Sequence, residues 1–282
     1  MARVDSLSIL LDPSGQAKLA ELYDGVIENV QKSAVSAQIK NTDLSGDPEA
    51  GSVEAKRFAN AESKAYGTAR TAGAGEKVKA KPVTIAIDTD KEFVEEIAQK
   101  DISLLGVDGL LEKRTANHAQ RLTAELDAAF FAEAVSAGTA YVPSSGVTTI
   151  EDMVEEAIVT LESLKNDYID GIDRSMISVT CNPATYSALR KYLDKLPNVN
   201  VDTAAADIYA FHGVRVFSSN RLPATDDFVV MMDASIAQPV KTSVYKAEKI
   251  PMSEDMSVQL FFHYGTKAVT PETILHHAKA SA

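Results

Sequence analysis

The chain has 282 residues, 28 Lys and Arg against 40 Asp and Glu, a formal net charge of −12, one Cys and no Trp. A single Cys excludes an internal disulfide and every site built from several cysteines, and the acidic balance argues against a dedicated nucleic-acid binder, which carries a basic surplus. No run approaches the roughly 18 apolar residues that a membrane helix needs, and Met1 to Leu11 lacks the apolar centre of a signal peptide, so folding inside the cell and no membrane partner are expected.

Asp12-Pro13-Ser14-Gly15 is a turn signal. A helix is predicted from there to about Lys40, because Leu19, Leu22, Val26, Ile27 and Val30 recur at three- and four-residue spacing. Asn41 to Gly51 reads as a linker. Two extended runs follow, Val53 to Phe58 and Val78 to Ile87, with Val83, Ile85 and Ile87 on one face of the second. Gly67, Gly73 and Gly75 lie between them, so the pair reads as a long two-stranded excursion. Pro82 cannot donate to a ladder and favours an edge position. An isolated ribbon is marginal in water and needs a surface to lie on.

Thr89 to Gln99 is acidic and is predicted to be helical, with Phe93, Val94 and Ile97 as its apolar residues. Val107 to Ala137 is the strongest helix signal, with Leu111, Thr115, His118, Leu122, Leu126, Ala129 and Phe130 on one face. At ~1.5 Å per residue it is on the order of 45 Å long, a structural spine. Gly138 to Val147 breaks the pattern. A helix is predicted from Thr149, with Val154, Ala157, Ile158, Leu161 and Leu164 on its face. Ser175 to Cys181 reads as a buried strand, and Asn182-Pro183 as the start of a helix carrying Tyr186, Leu189 and Leu193. Short strands are predicted at Val214–Phe217, Phe228–Met232, Thr242–Lys246 and Met256–Tyr264, with strand character from Lys267 to Leu275. The fold class is α+β, without regular βαβ alternation and without an internal repeat.

The charge is unevenly spread. From Ser52 to Lys81 there are seven basic residues, Lys56, Arg57, Lys64, Arg70, Lys77, Lys79 and Lys81, against Glu54, Glu62 and Glu76. That is a local +4, which leaves −16 on the rest of the chain. One reading is a solvated loop that happens to be basic. The other is a loop that reaches the acidic surface of another copy, where opposite fields steer the contact and set register. Glu92, Glu95 and Glu96 are the candidate acidic partners.

No constellation supports catalysis, a cofactor or a metal. Gly73-Ala74-Gly75 lacks the third Gly of a dinucleotide fingerprint. No Ser stands in a nucleophile elbow. Cys181 reads as a buried small hydrophobe. Glu272 and His276 are four apart but lie in β-like surroundings. Asn166 to Asp173 fails the calcium-loop pattern.

The order of parts is more telling than any motif. A helical arm leads into a basic ribbon, then an acidic connection, then a long helix ending in Ala137-Gly138. The strand-to-helix run Ser178-Val179-Thr180-Cys181-Asn182-Pro183-Ala184-Thr185-Tyr186-Ser187-Ala188-Leu189 follows. Terminal strands contain Val258-Gln259-Leu260-Phe261-Phe262-His263-Tyr264-Gly265-Thr266 and Val269-Thr270-Pro271-Glu272. Over nearly the whole chain this order resembles the major capsid protein of tailed bacteriophages, with the HK97-type fold. The resemblance implies an N-terminal arm at 1–51, an extended E-loop at 52–88, and a peripheral domain at 89–140 whose spine-helix core includes Leu111, Leu122, Leu126 and Phe130. It further implies a mixed α/β axial domain at 141–235 and return strands of the peripheral domain at 236–282.

By that resemblance the chain is a structural protein, not an enzyme, that assembles with itself into hexamers and pentamers. These form an icosahedral virion shell in the host cytoplasm around DNA that is held only non-specifically. Only about 50 residues precede the E-loop, so a separate scaffolding protein is expected, together with a portal protein. An encapsulin-like nanocompartment shell is the alternative, and an apolar pocket lined by the N-terminal helix would favour it. A soluble α+β enzyme is the third reading. Some members of the family form Lys–Asn cross-links between an E-loop Lys and an Asn of the last strands. Lys64 and Lys77 could supply the Lys, but no Asn follows Asn220. Boiling assembled shells in SDS is therefore expected to release 30.2 kDa monomers; a ladder of covalent oligomers on the gel contradicts this.

Overall fold

The computed structural model describes residues 6–45, 51–61, 63, 65–67, 78–103, 106–195 and 210–279. Helix α1 spans Pro13–Ser33, with Pro13 at its first turn. It stops earlier than the apolar spacing predicts. Ala34 adopts an extended backbone, and a second short helix, α2 (Val35–Ile39), starts after it. The break has a partner. Buried Asp127 accepts hydrogen bonds from the backbone N–H groups of Val35 and Ser36, at 3.3 and 2.9 Å. A helix start supplies unpaired N–H groups, and a carboxylate satisfies them well.

Strands β1 (Ser52–Phe58) and β2 (Ala80–Ala86) pair antiparallel as a separate two-stranded ribbon. Strand β3 (Thr89–Ile97) comes next, where the acidic composition predicted a helix. It pairs along all nine residues with β12 (Met256–Tyr264). The reason is period two: Phe93, Glu95 and Ile97 turn inward while Glu92, Val94 and Glu96 stay exposed. Glu95 hides this alternation in the sequence, because a carboxylate stands at an inward position.

Helix α3 (Gly106–Ala137) is the predicted spine, 32 residues long. Leu111, Leu122, Leu126 and Phe130 are all buried on it. They do not share one core. Leu111, Leu122 and Leu126 pack with α1, β3 and β12 in one cluster, and Phe130 packs with Phe131, Val229, Met231 and Ile274 in another. The helix ends at Gly138, where an added Cβ would lie 2.5 Å from the Ala134 carbonyl oxygen.

Strand β4 (Thr139–Ala140) leads to helix α4 (Ile150–Glu162), whose Thr149 side chain accepts from Asp152 N–H. Strand β5 (Ile177–Cys181) is buried at every residue. Helix α5 (Pro183–Lys195) follows, and Asn182 Oδ1 accepts from Thr185 N–H at 2.8 Å, the cap expected of Asn before Pro. Cys181 is free and buried, and burial pushes its thiol pKa up. Strands β6 (Ala210–Phe211), β7 (Val214–Ser218) and β8 (Asp226–Met232) complete this half. The main sheet has six strands in the order β4-β14-β8-β5-β7-β6, where β14 is Ile274–Ala278.

The expected strand Thr242–Lys246 is divided. The structure has β9 (Ile236–Ala237), β10 (Val240–Thr242) and β11 (Lys246–Lys249), with 243–245 between the last two. The interruption turns the Tyr245 ring into the core, where its hydroxyl meets His118 Nδ1 at 2.8 Å. The terminal run is likewise two pieces, β13 (Lys267–Ala268) and β14, joined through a single 3-10 turn at Pro271–Thr273.

His118 is 3% exposed and stacks on Phe93 at 4.9 Å. Its Nε2 stands 3.3 Å from Glu95 Oε1, off the direction of a proper hydrogen bond. Arg114 bonds Glu95 through both Nε and Nη2 and holds its carboxyl below the usual range. Burial lowers the His118 pKa, with Glu95 opposing and Arg114 assisting. Below an unfolded value of about 6.5 the unfolded chain therefore takes up a proton that the folded chain refuses. Folding stability contributed here is complete above that pH and falls as pH drops. The unassembled chain should lose more melting temperature between pH 7 and pH 5 than a His118→Gln variant does; equal losses would remove His118 as the cause.

Candidate functional site

The ribbon is the part of the chain least able to stand alone, and its root shows how it is held. Ile85 is fully buried against Ala237 and Val269, with Leu44 and Val53 at the margin. Gly265 lies directly against Ala86, and a Cβ there would sit 1.8 Å from the Ala86 carbonyl oxygen. Only glycine permits that approach.

Further out, Arg57 is the anchor. Its guanidinium makes a two-pronged pair with the Glu272 carboxylate, with Nη1 to Oε2 at 3.3 Å. It also lies over the Tyr168 ring, 4.6 Å from the centroid. The Arg57 side chain is 10% exposed. A planar guanidinium suits both contacts at once, which an ammonium cannot. The Asn60 N–H donates to the Asp167 carbonyl at 2.9 Å. The ribbon thus reaches from the Ala237–Val269 cluster to the loop after α4.

The two faces of the ribbon differ. Val53, Ala55, Arg57, Val83 and Ile85 alternate toward the body of the chain, and Lys81 is paired opposite Arg57. Glu54, Lys56, Phe58, Ala80, Pro82 and Thr84 are exposed on the other face. Phe58 is 59% exposed. Of the basic residues singled out from sequence, Lys56 is exposed, Lys79 and Lys81 are exposed near the ribbon's free end, and Arg57 is committed within the chain. Lys64, Arg70 and Lys77 lie outside the described residues.

The three candidate acidic partners also separate. Glu92 and Glu96 are exposed on the outer face of β3, and Glu95 faces inward to Arg114 and His118. Among the described residues no ion pair joins a ribbon lysine to any of them. Glu272 and His276 do not approach a common ligand position: Glu272 holds Arg57, and His276 Nδ1 meets buried Asp226 at 2.7 Å. Asn166 Oδ1 is used by its own loop, accepting from Tyr168 and Ile169 N–H. Sequence reasoning missed Glu272 and Tyr168 as ribbon partners. Neither carries a local signal, because both are more than 100 residues from Arg57.

A lone ribbon rooted on a body with a long helix and a mixed sheet is the HK97-type capsid fold. Residues 83–275, more than half of the chain, match the family described as phage capsid protein, and the chain belongs to that family. Its role is structural, as a component of the virion shell. The structure of Mycobacterium phage Che8 is similar at 21% identity, covering 81% of this chain and 85% of that chain, with a TM-score of 0.62. The capsid of Ralstonia phage GP4 is similar at 11% identity, covering 86% and 87%, with a TM-score of 0.63. The capsid of a native GTA particle is similar at 14% identity, covering 87% and 90%, with a TM-score of 0.60. At such identities the likeness shows the fold. No curated protein matches by sequence.

Replacing Arg57 with Ala strands the half-buried Glu272 carboxylate and uncovers Tyr168. A loss of about 1–3 kcal/mol is expected at the ribbon root. Hydrogen exchange should report it as faster exchange confined to 52–58 and 80–86, and Glu272→Gln should be milder. Unaltered exchange in Arg57→Ala would deny the anchor.

Proposed function

We propose that this chain is the major subunit of an icosahedral phage head, built from hexamers and pentamers and enclosing DNA. The observation that carries this reading is the ribbon, bound at its root by its own chain and bare on its far face. Heterologous contacts that close under rotation generate rings, and a ribbon that reaches beyond its own body is a natural carrier of such a contact. The N-terminal arm is assigned to 1–51, the E-loop to 52–88, the peripheral domain to 89–140 with 236–282, and the axial domain to 141–235. The division of the core into separate clusters supports this, since α5, β5 and β7 pack together apart from α1 and β12.

The exposed face with Lys56 and Phe58, and the lysines toward the free end, are assigned to the neighbouring copy. The exposed Glu92 and Glu96 are their acidic counterparts. Assembly in the host cytoplasm with a separate scaffolding protein and a portal protein belongs to the same reading. The acidic body supports a wall that does not grip its DNA.

Reversing Lys77, Lys79 and Lys81 to Glu tests the ribbon contact. Exposed pairs contribute ~0.2–1 kcal/mol each, so three reversals should weaken each contact about threefold to a hundredfold. Sedimentation and negative-stain microscopy should show fewer particles, with circular dichroism of the subunit unaltered. Normal particle yield from the variant would count against a charged ribbon contact.

A further inference from the structure

A second face of the long helix is only partly covered by the described residues. Along it Ala116, Ala119, Gln120, Thr123, Ala124 and Ala128 form the floor of two adjoining grooves, of about 540 and 300 Å³. They share Ala124 and Arg221. One wall is the end of α1, where Ser33 Oγ lies 3.1 Å from Thr123 Oγ1. At the other end the wall is the start of β3, from Lys91 to Phe93. From Ala116 to Ala128 the floor runs ~18 Å, about three turns. The lining is of small side chains, more apolar than polar beside α1 and evenly mixed beside β3.

Charge marks the middle of the groove. Arg121 and Arg221 both line the part beside β3, and Arg221 reaches the part beside α1 as well. Both side chains are exposed, and among the described residues neither has a carboxylate partner. The other cations on the rim are engaged, Lys32 with Glu28 and Lys91 with Glu125. Of the rim's carboxylates, Asp127 is used by the Val35 and Ser36 N–H groups, Glu125 accepts from the Tyr264 hydroxyl, and exposed Glu92 lines the part beside β3. Two guanidinium groups with no carboxylate partner among the described residues thus stand over a small-residue floor, on a chain whose net charge is −12.

We propose that this groove docks an acidic amphipathic α-helix of an assembly partner. Small floor residues let a second helix approach closely. Carboxylates at three- and four-residue spacing on that helix would meet Arg121 and Arg221, which recognise carboxylates in a two-pronged geometry. A DNA duplex would meet the two arginines through its phosphates, a contact that does not depend on the size of the floor residues. Small-to-large substitution on the floor therefore separates the two. The inference stands on the groove and is read on the unassembled chain, so it can fail while the shell reading holds.

The test uses the unassembled full-length protein and three labelled probes followed by fluorescence anisotropy. One is a peptide of about four turns with an Ala/Leu stripe flanked by Glu, one is the same stripe flanked by Lys, and one is a short DNA duplex. The Glu peptide should bind saturably and the Lys peptide should not. Arg121→Glu with Arg221→Glu should weaken the Glu peptide at least about tenfold, a change of ~1.4 kcal/mol. Ala124→Leu should do the same by filling the floor, and Gln120→Trp at the exposed edge serves if the first misfolds. The proposal is overturned if the two peptides bind alike, or if both floor substitutions leave Glu-peptide binding unchanged. It is equally overturned if DNA alone binds and only the arginine reversals abolish that binding.

Discussion

The structure depends on one constraint, the need to cover a 32-residue helix along its whole length. A helix that long cannot be buried by one small layer. Its first two-thirds are covered by α1, β3 and β12 around Leu111, Leu122 and Leu126, and its last third by β8 and β14 around Phe130 and Phe131. Truncating any of these leucines to Ala removes on the order of 2–5 kcal/mol. That is a large share of the 5–15 kcal/mol that a folded protein commands. The two coverings come from distant parts of the sequence, so the helix makes them one body.

The ribbon follows from that body. Its root rests on Ala237 and Val269, which belong to the segments that return to the long helix after β8 and β12. Because the root is buried and Arg57 is clamped to Glu272, the direction of the ribbon is set by its own chain. The outward face, with Lys56, Phe58, Ala80 and Pro82, is then left exposed by the described residues. A shell subunit needs both properties: a rigid base, and a face left open for the next copy.

Short-range periodicity made much of this legible. The helix over 107–137, the ribbon strands, the alternating strand Met256–Tyr264 and the Asn182 cap are all local patterns. The strand at 89–97 was not legible, because Glu95 occupies an inward position and breaks the alternation that Phe93 and Ile97 otherwise show. That position tolerates a carboxylate only because Arg114 and His118, from a different element, meet it. The basic ribbon was legible as a charged segment, but not the division of its residues between two faces.

By itself the sequence determined the order of the elements, the amphipathic face of the spine, the separation of a basic ribbon from an acidic body, and hence the family resemblance. These rest on neighbours within a few positions, where helix and strand periods act. Only the tertiary structure decided that Arg57 serves its own chain and that Glu95 is an internal partner. It alone decided that Arg121 and Arg221 line a groove along the spine. The reason is physical: a charge is committed or free according to what folds against it, and Glu272, Tyr168 and His118 reach their partners only when segments far apart in the chain come together.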